Sequence, residues 1–346
     1  MKTNKSRRAP FLAATLATTL TAVAATTAWA IEIETVPVGN PGNAANGNTG
    51  LGAVSYEYQI GKYAVTNEQY TAFLNAVART DTYGLYSSGM NSNYAKIIRE
   101  GDAGTWSYTV AAGWEKKAVV YVGFYDALRF VNWLTNGQPT GVQDTTTTES
   151  GMYVLDGKNT LVAEASHTAG NGWVIPDQDE WHKAAYYNGD GTYRLYPVMA
   201  EELNRTMASY WIPDGADGLG IGGLNPGGTV IADVDYFDAT PGANSYYGTF
   251  QQGGNVYEWS DTPDADADAS KRLMWGGAYL TGVTELYSDA SPHSRDATSE
   301  QYFTGFRVVN LAALASVPEP ATFAALAGLA LLAFAVWRRR SGSDER

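Results

Sequence analysis

The chain changes character near residue 187, and that change limits its fold more than any other feature. Before it, three stretches carry apolar residues at helical spacing, two of them behind a capping residue. Thr66, with Gln69 three positions on, forms a capping box, and Tyr70, Phe73, Leu74 and Val77 follow as one stripe. Phe124, Ala127, Leu128, Val131 and Leu134 predict a second helix over about 124–135. A third begins after Asp177, with Glu180 at the box position and Trp181, Ala184 and Ala185 facing inward. From about 187 to 310 no long helical period recurs. Short aromatic runs alternate there with Gly, Asn and Asp turns. The pattern predicts an α+β chain with early helices, then irregular β structure and long loops. Residues 54–65 (VSYEYQIGKYAV) predict a strand, and 39–50 (GNPGNAANGNTG) predict a surface linker.

The 346 residues are enough for one large core or two small ones. With 17 % charged and 12 % aromatic residues, the composition is that of a globular protein. There is no cysteine, which excludes disulfides, thiolate metal sites and thiol catalysis together. The two ends hold eight of the 23 basic residues and three of the 36 acids, so residues 31–316 carry a balance of −18. Such a surface repels nucleic acid and anionic lipid, and it suits divalent cations.

Both ends read as targeting segments. Lys2, Lys5, Arg7 and Arg8 precede an apolar stretch from Phe11 to Ala28 and the cleavage-type run Ala28-Trp29-Ala30, so 1–30 is expected to be a secretory signal peptide. A short segment, 31–54, leads into the main domain. At the other end, 311–320 is a linker, and 321–337 is a run of 17 residues without a charge, at the short limit for a spanning helix. The basic tail 338–346 begins with Arg338, Arg339 and Arg340, which favour the cytoplasmic side. Val317-Pro318-Glu319-Pro320, a short span and an arginine cluster together resemble the PEP-CTERM sorting signal. That resemblance implies transient inner-membrane anchoring, an exosortase-type protease as partner, and release to the cell surface or an extracellular matrix.

Within 55–310, six phrases occur in a fixed order: YQIGKYAVTNEQYTAFLNAVA, VVYVGFYDALRFVNWL, WVIPDQDEWHKAAYY, YGTFQQGGNVYEWS, WGGAY and TGFRVV. The series resembles the formylglycine-generating enzyme family, also called the sulfatase-modifying factor domain. The resemblance implies a variant of the C-type-lectin-like fold with little regular secondary structure. It also implies a calcium ion at the QQGGNVYEWS stretch, held by the side chains of Gln251 and Glu258 and the carbonyls of Gly254 and Val256. These are the hard oxygen donors that calcium requires. Relatives carry Asn or Asp where this chain has Gln251. A second calcium site would fall between about 205 and 240.

In the family's oxidases two cysteines bind copper shortly after the GGSY-like phrase. Here the phrase is Gly276-Gly277-Ala278-Tyr279, and the matching positions hold Thr281 and Leu286. A hydroxyl and an alkyl group cannot supply a thiolate pair, so no copper and no copper-dependent oxidation are expected. With only His167, His182 and His293, the chain also lacks the histidine cluster of iron-binding relatives. The family places an arginine in its substrate groove at Arg295, which makes Tyr279 and Arg295 groove candidates, although pairing of Arg295 with an acid is the favoured reading. Arg307 is read as an anchor of core loops, and His182 as a partly exposed structural histidine.

Two further signals carry no site. Gly218 to Gly223 matches GxGxxG, but no strand precedes it and no helix follows. Asp264, Asp266 and Asp268 alternate with alanines as a solvated acidic loop. The expectation is an exported, non-catalytic, calcium-stabilised binding module. An enzyme with cysteine-independent chemistry and a structural matrix protein are the alternatives.

Overall fold

The structure, a computed structural model, describes residues 30–211, 231–266 and 268–312. In chain order the elements are β1 (Thr35–Val38), β2 (Tyr58–Gly61), α1 (Asn67–Val77), β3 (Ile97–Glu100), β4 (Ser107–Val110), α2 (Phe124–Thr135), β5 (Val154–Leu155), β6 (Leu161–Ala163), β7 (Trp173–Val174), α3 (Gln178–Tyr186), β8 (Tyr257–Asp264), β9 (Asp268–Trp275), β10 (His293–Asp296), β11 (Thr304–Gly305) and β12 (Val309–Asn310). Single 3-10 turns lie at Ser88–Asn91 and Val283–Leu286.

The first and third helices start at the expected caps, and the second spans the expected 124–135. Thr66 and Gln69 close the box on α1, and Asp177 and Glu180 close it on α3. On α2 the Asp126 carboxylate accepts from the Gly123 N–H. The apolar faces of α1 and α2 meet in the main core, whereas Trp181, Ala185 and Tyr186 of α3 pack with Trp275 in a second cluster. Phe73 on α1 packs against Phe130 and Trp133 on α2, with ring centroids 5.3 and 5.2 Å apart, and Phe130 meets Phe306 at 5.3 Å. Such edge and tilted contacts each add about 1 kcal/mol beyond the area they bury.

Two four-stranded sheets and two two-stranded pairs, β3-β4 and β5-β6, complete the described domain. One of the sheets runs β1-β2-β12-β7 and joins the N-terminal strand to the last one. The other runs β10-β9-β8-β11, with β11 parallel to β8 and the other pairs antiparallel. Asp264 and Asp268 face each other where β8 turns into β9, so the acidic run is a hairpin tip.

Three local expectations need correction. The strand predicted over 54–65 is regular only at Tyr58–Gly61, because β1 offers four partner residues and the chain then bonds piecewise to Phe306 and Val308. The 39–50 segment is no free linker. Asn43 Nδ2 donates to the Gly52 carbonyl at 2.6 Å, and Asn46 is buried against His182 at 3.3 Å. His182 itself is fully buried, and burial pushes its imidazole down to about 4. The signal peptide, GxGxxG run, C-terminal span and most of the second calcium region lie outside the described residues. Among the described residues no helix is long and apolar enough to cross a membrane.

Candidate functional site

The stretch 251–260 is buried throughout and knits the late loops together. Gln251 and Asn255 take left-handed backbone angles of φ 54° and 61°, which turn the chain back on itself. Gly254, at φ 84°, passes so close to the Ser209 carbonyl that a Cβ would collide with it. The Gly254 N–H donates to the Gly276 carbonyl at 2.7 Å, the Asn255 N–H to Ser209 at 2.7 Å, and the Tyr279 N–H to the Asn255 carbonyl at 3.0 Å.

Glu258 then enters β8 beneath this loop, 1 % exposed. Arg307 grips its carboxylate with two bonds, Nε to Oε2 at 3.0 Å and Nη2 to Oε1 at 2.9 Å. Trp181 Nε1 donates to Oε2 at 2.7 Å. Gln251 Nε2 donates to the carbonyls of Asp233 and Val234 at 2.8 and 2.9 Å, while its Oε1 is buried without a partner. The calcium set expected from the sequence does not fit this arrangement. Its one carboxylate is already neutralised by a guanidinium, leaving a neutral amide oxygen and two backbone carbonyls, Gly254 and Val256. Calcium takes six to eight oxygens and usually several carboxylates. The QQGGNVYEWS stretch is therefore a core motif closed by Arg307.

The two positions matched by resemblance to the oxidases' cysteines lie beyond Gly276-Gly277. Thr281 and Leu286 are brought together there, since a Cβ on Gly277 would sit 2.8 Å from Thr281 Oγ1 and 3.1 Å from Leu286 Cδ1. Neither is free for chemistry. Thr281 Oγ1 accepts from the Ala278 N–H at 2.9 Å and donates to the Ala278 carbonyl at 3.0 Å. Leu286 is fully buried beside Ala208 and Tyr210.

Tyr279 is 2 % exposed, and its hydroxyl has no hydrogen-bond partner. Burial pushes this phenol up, and Tyr94, Tyr302 and Tyr121 add to the effect. The Tyr94 ring stacks on Tyr279 at 6.3 Å and meets Tyr302 at 4.9 Å. Tyr302 is 37 % exposed, so the tyrosine cluster opens to solvent. Next to it, His293 Nε2 lies 3.0 Å from Glu285 Oε2, and Tyr257 donates to the same oxygen at 3.4 Å. Burial pushes the Tyr257 phenol up, Glu285 adds to this, and the Arg295 charge pulls against it. Glu285 and His293, with Ser291 and Ser294, line a cleft of about 400 Å³, and Ser294 Oγ is buried without a partner.

Arg295 does not pair with an acid, contrary to the favoured reading. It is exposed on β10 opposite Arg272 and makes no ion pair among the described residues. Sequence reasoning missed Glu285 as the partner of His293, because Glu285 sits in the Val283–Leu286 turn and only the fold brings β10 back to it. Tyr94 and Tyr302 were missed as well: 208 positions apart, they share no local period.

Residues 39–312 match the sulfatase-modifying factor enzyme 1-like domain. The chain belongs to that family. Residues 316–340 match the PEP-CTERM protein-sorting motif, which directs export across the inner membrane to the cell surface or beyond, through exosortase-type machinery. Among solved structures, the crystal structure of CarF is 18 % identical, covers 81 % of this chain and 98 % of its own, and superposes with a TM-score of 0.51. Treponema denticola variable protein 1 is 16 % identical over 81 % of this chain and 95 % of its own, TM-score 0.48. PvdO from Pseudomonas aeruginosa is 14 % identical over 80 % and 91 %, TM-score 0.43. Comparison with curated proteins finds no match. The family match and the CarF superposition bear out the α+β, C-type-lectin-like variant expected from the sequence. The domain is thus a cysteine-free member of the sulfatase-modifying factor family on an exported chain.

Proposed function

We propose that this sulfatase-modifying factor domain binds a ligand instead of oxidising one, and that the ligand is a polysaccharide of the cell surface or matrix. The observation that carries the reading is the tyrosine cluster on the face where relatives need thiols. Thr281 and Leu286 close the reaction centre, and Tyr279, Tyr94 and Tyr302 stand beside it. A buried hydroxyl left unbonded costs about 1–3 kcal/mol, a cost that a ligand hydroxyl can remove. Flat phenol rings with polar edges match the alternating CH face and hydroxyl rim of a sugar, and they lose little side-chain freedom on binding.

Calcium has no part in this reading, because Arg307 supplies the positive charge at Glu258. Retention of purified protein on immobilised surface polysaccharide tests the proposal. Wild type is retained, and the Tyr94→Ala, Tyr302→Ala double variant, folded by circular dichroism, is not. Equal retention of both proteins removes the groove from the account.

A second reading rests on the hydrogen-bonded trio Glu285, His293 and Tyr257, which could move a proton at the cleft edge. It requires hydrolysis or elimination by wild type, and loss of that activity in His293→Gln with polysaccharide retention intact.

A further inference from the structure

Away from the tyrosine cluster, three segments gather a second group of buried and half-buried titratable side chains. His167 comes from the loop between β6 and β7, Asp177 and Glu180 from the start of α3, and Asp261 from β8. His167 Nδ1 lies 2.9 Å from Glu180 Oε2, and Nε2 lies 3.0 Å from Asp261 Oδ2. Tyr56 donates to Glu180 Oε1 at 2.8 Å, and Tyr153 donates to Asp261 Oδ2 at 2.9 Å. One ligand atom from each of His167, Asp177 and Glu180 lies within 4.8 Å of the others.

Helix capping explains only part of this. Asp177 Oδ1 accepts from the Glu180 N–H, and Glu180 Oε2 accepts from the Asp177 N–H. Capping does not require the imidazole, nor Asp261 behind it. Three carboxylates converge on one histidine, and among the described residues no lysine or arginine pairs with any of them. Buried charge in that ratio is costly without a further cation. Asp261 holds the far side of the ring: its side chain is 8 % exposed, its Oδ2 faces Nε2, and its Oδ1 has no hydrogen-bond partner.

We propose that His167, Asp177 and Glu180 bind a divalent transition-metal ion, with Asp261 as the positioning residue behind the imidazole. One ring nitrogen and two carboxylate oxygens suit zinc and its first-row neighbours, whereas calcium takes an all-oxygen shell. The ion replaces the proton between Nδ1 and Glu180 Oε2, and that proton leaves to solvent. Nε2 keeps its hydrogen and donates it to Asp261, an arrangement that fixes tautomer and ring orientation. Asp177 moves inward to close the third bond, since ligand atoms around zinc stand about 3.5 Å apart. Water completes the shell, and the 12 % exposure of the His167 side chain gives it a path. The ion clips the loop before β7 to α3 and β8 in a chain that has no disulfide.

Calorimetric titration of the metal-free full-length protein with zinc chloride tests this, with calcium chloride as the control. The expected result is one saturable zinc site per chain and no calcium binding at that site. Asp261→Asn weakens zinc about 10- to 100-fold, and His167→Gln abolishes binding. Cobalt(II) in place of zinc gives a visible absorption band that is lost in His167→Gln, a readout that a purely packing role would not change. If His167→Gln does not fold, Asp177→Asn carries the same comparison, with weakened zinc binding expected. Absence of saturable zinc binding by wild type, or equal affinity in wild type and all folded variants, overturns the proposal.

Discussion

Arg307 and Glu258 form a two-bond ion pair in the centre of the domain, with the arginine fully buried and the glutamate 1 % exposed. Arg307 also donates from Nη1 to the Gly61 carbonyl at 2.6 Å and from Nη2 to the Phe250 carbonyl at 2.8 Å. One side chain thereby joins β2, the 250 loop and β8. Removing one partner strands the other charge in the core. Arg307→Met or Glu258→Gln is expected to cost about 3–5 kcal/mol, read as a lower urea midpoint at unchanged slope.

The same pair sets an expectation for calcium. A calcium ion at 100 times its dissociation constant would add about 2.7 kcal/mol to stability. With Glu258 occupied by Arg307, calcium addition is expected to leave the unfolding midpoint of chelator-treated protein unchanged. A clear rise on adding calcium would restore the metal reading of the Gln251 loop.

Backbone geometry at Gly254 gives a sharper local test. Its positive φ and its approach to the Ser209 carbonyl leave no room for a Cβ. Gly254→Ala is expected to destabilise by more than about 1 kcal/mol. Gly282, where a Cβ meets nothing within 4 Å, is the control and should tolerate alanine.

His182 makes stability depend on acid. Its imidazole is held neutral, down at about 4 from an ordinary 6.5, by burial among Tyr186, Tyr193 and Trp275. The unfolded chain takes up the proton first, so this contribution is full above pH 6.5 and is lost as pH falls toward 4. The loss amounts to about 3 kcal/mol. His182→Asn is expected to flatten that limb of the stability curve, measured by urea unfolding at several pH values.

How much of this could be read in the sequence follows the range of each interaction. Thr66, Gln69, Asp177 and Glu180 act within one helical turn, so the caps and starts of α1 and α3 were legible. The six ordered phrases gave the family and the lectin-like class. The ion pair of Glu258 with Arg307 is not legible locally, because its partner lies 49 residues away. The 39–50 segment looked like a linker because its contacts are with Tyr193 and His182, about 140–150 positions later. Tyr94 and Tyr302, and His167 with Asp261, are likewise joined only by the fold.

The central claim is that a sulfatase-modifying factor framework has been kept while its thiol chemistry has gone. Incubating the purified protein with a cysteine-containing sulfatase peptide, copper and oxygen, and measuring aldehyde by mass spectrometry, tests it most directly. The account predicts no aldehyde above the protein-free background. Aldehyde formation that depends on the protein and falls in Tyr279→Phe would contradict it.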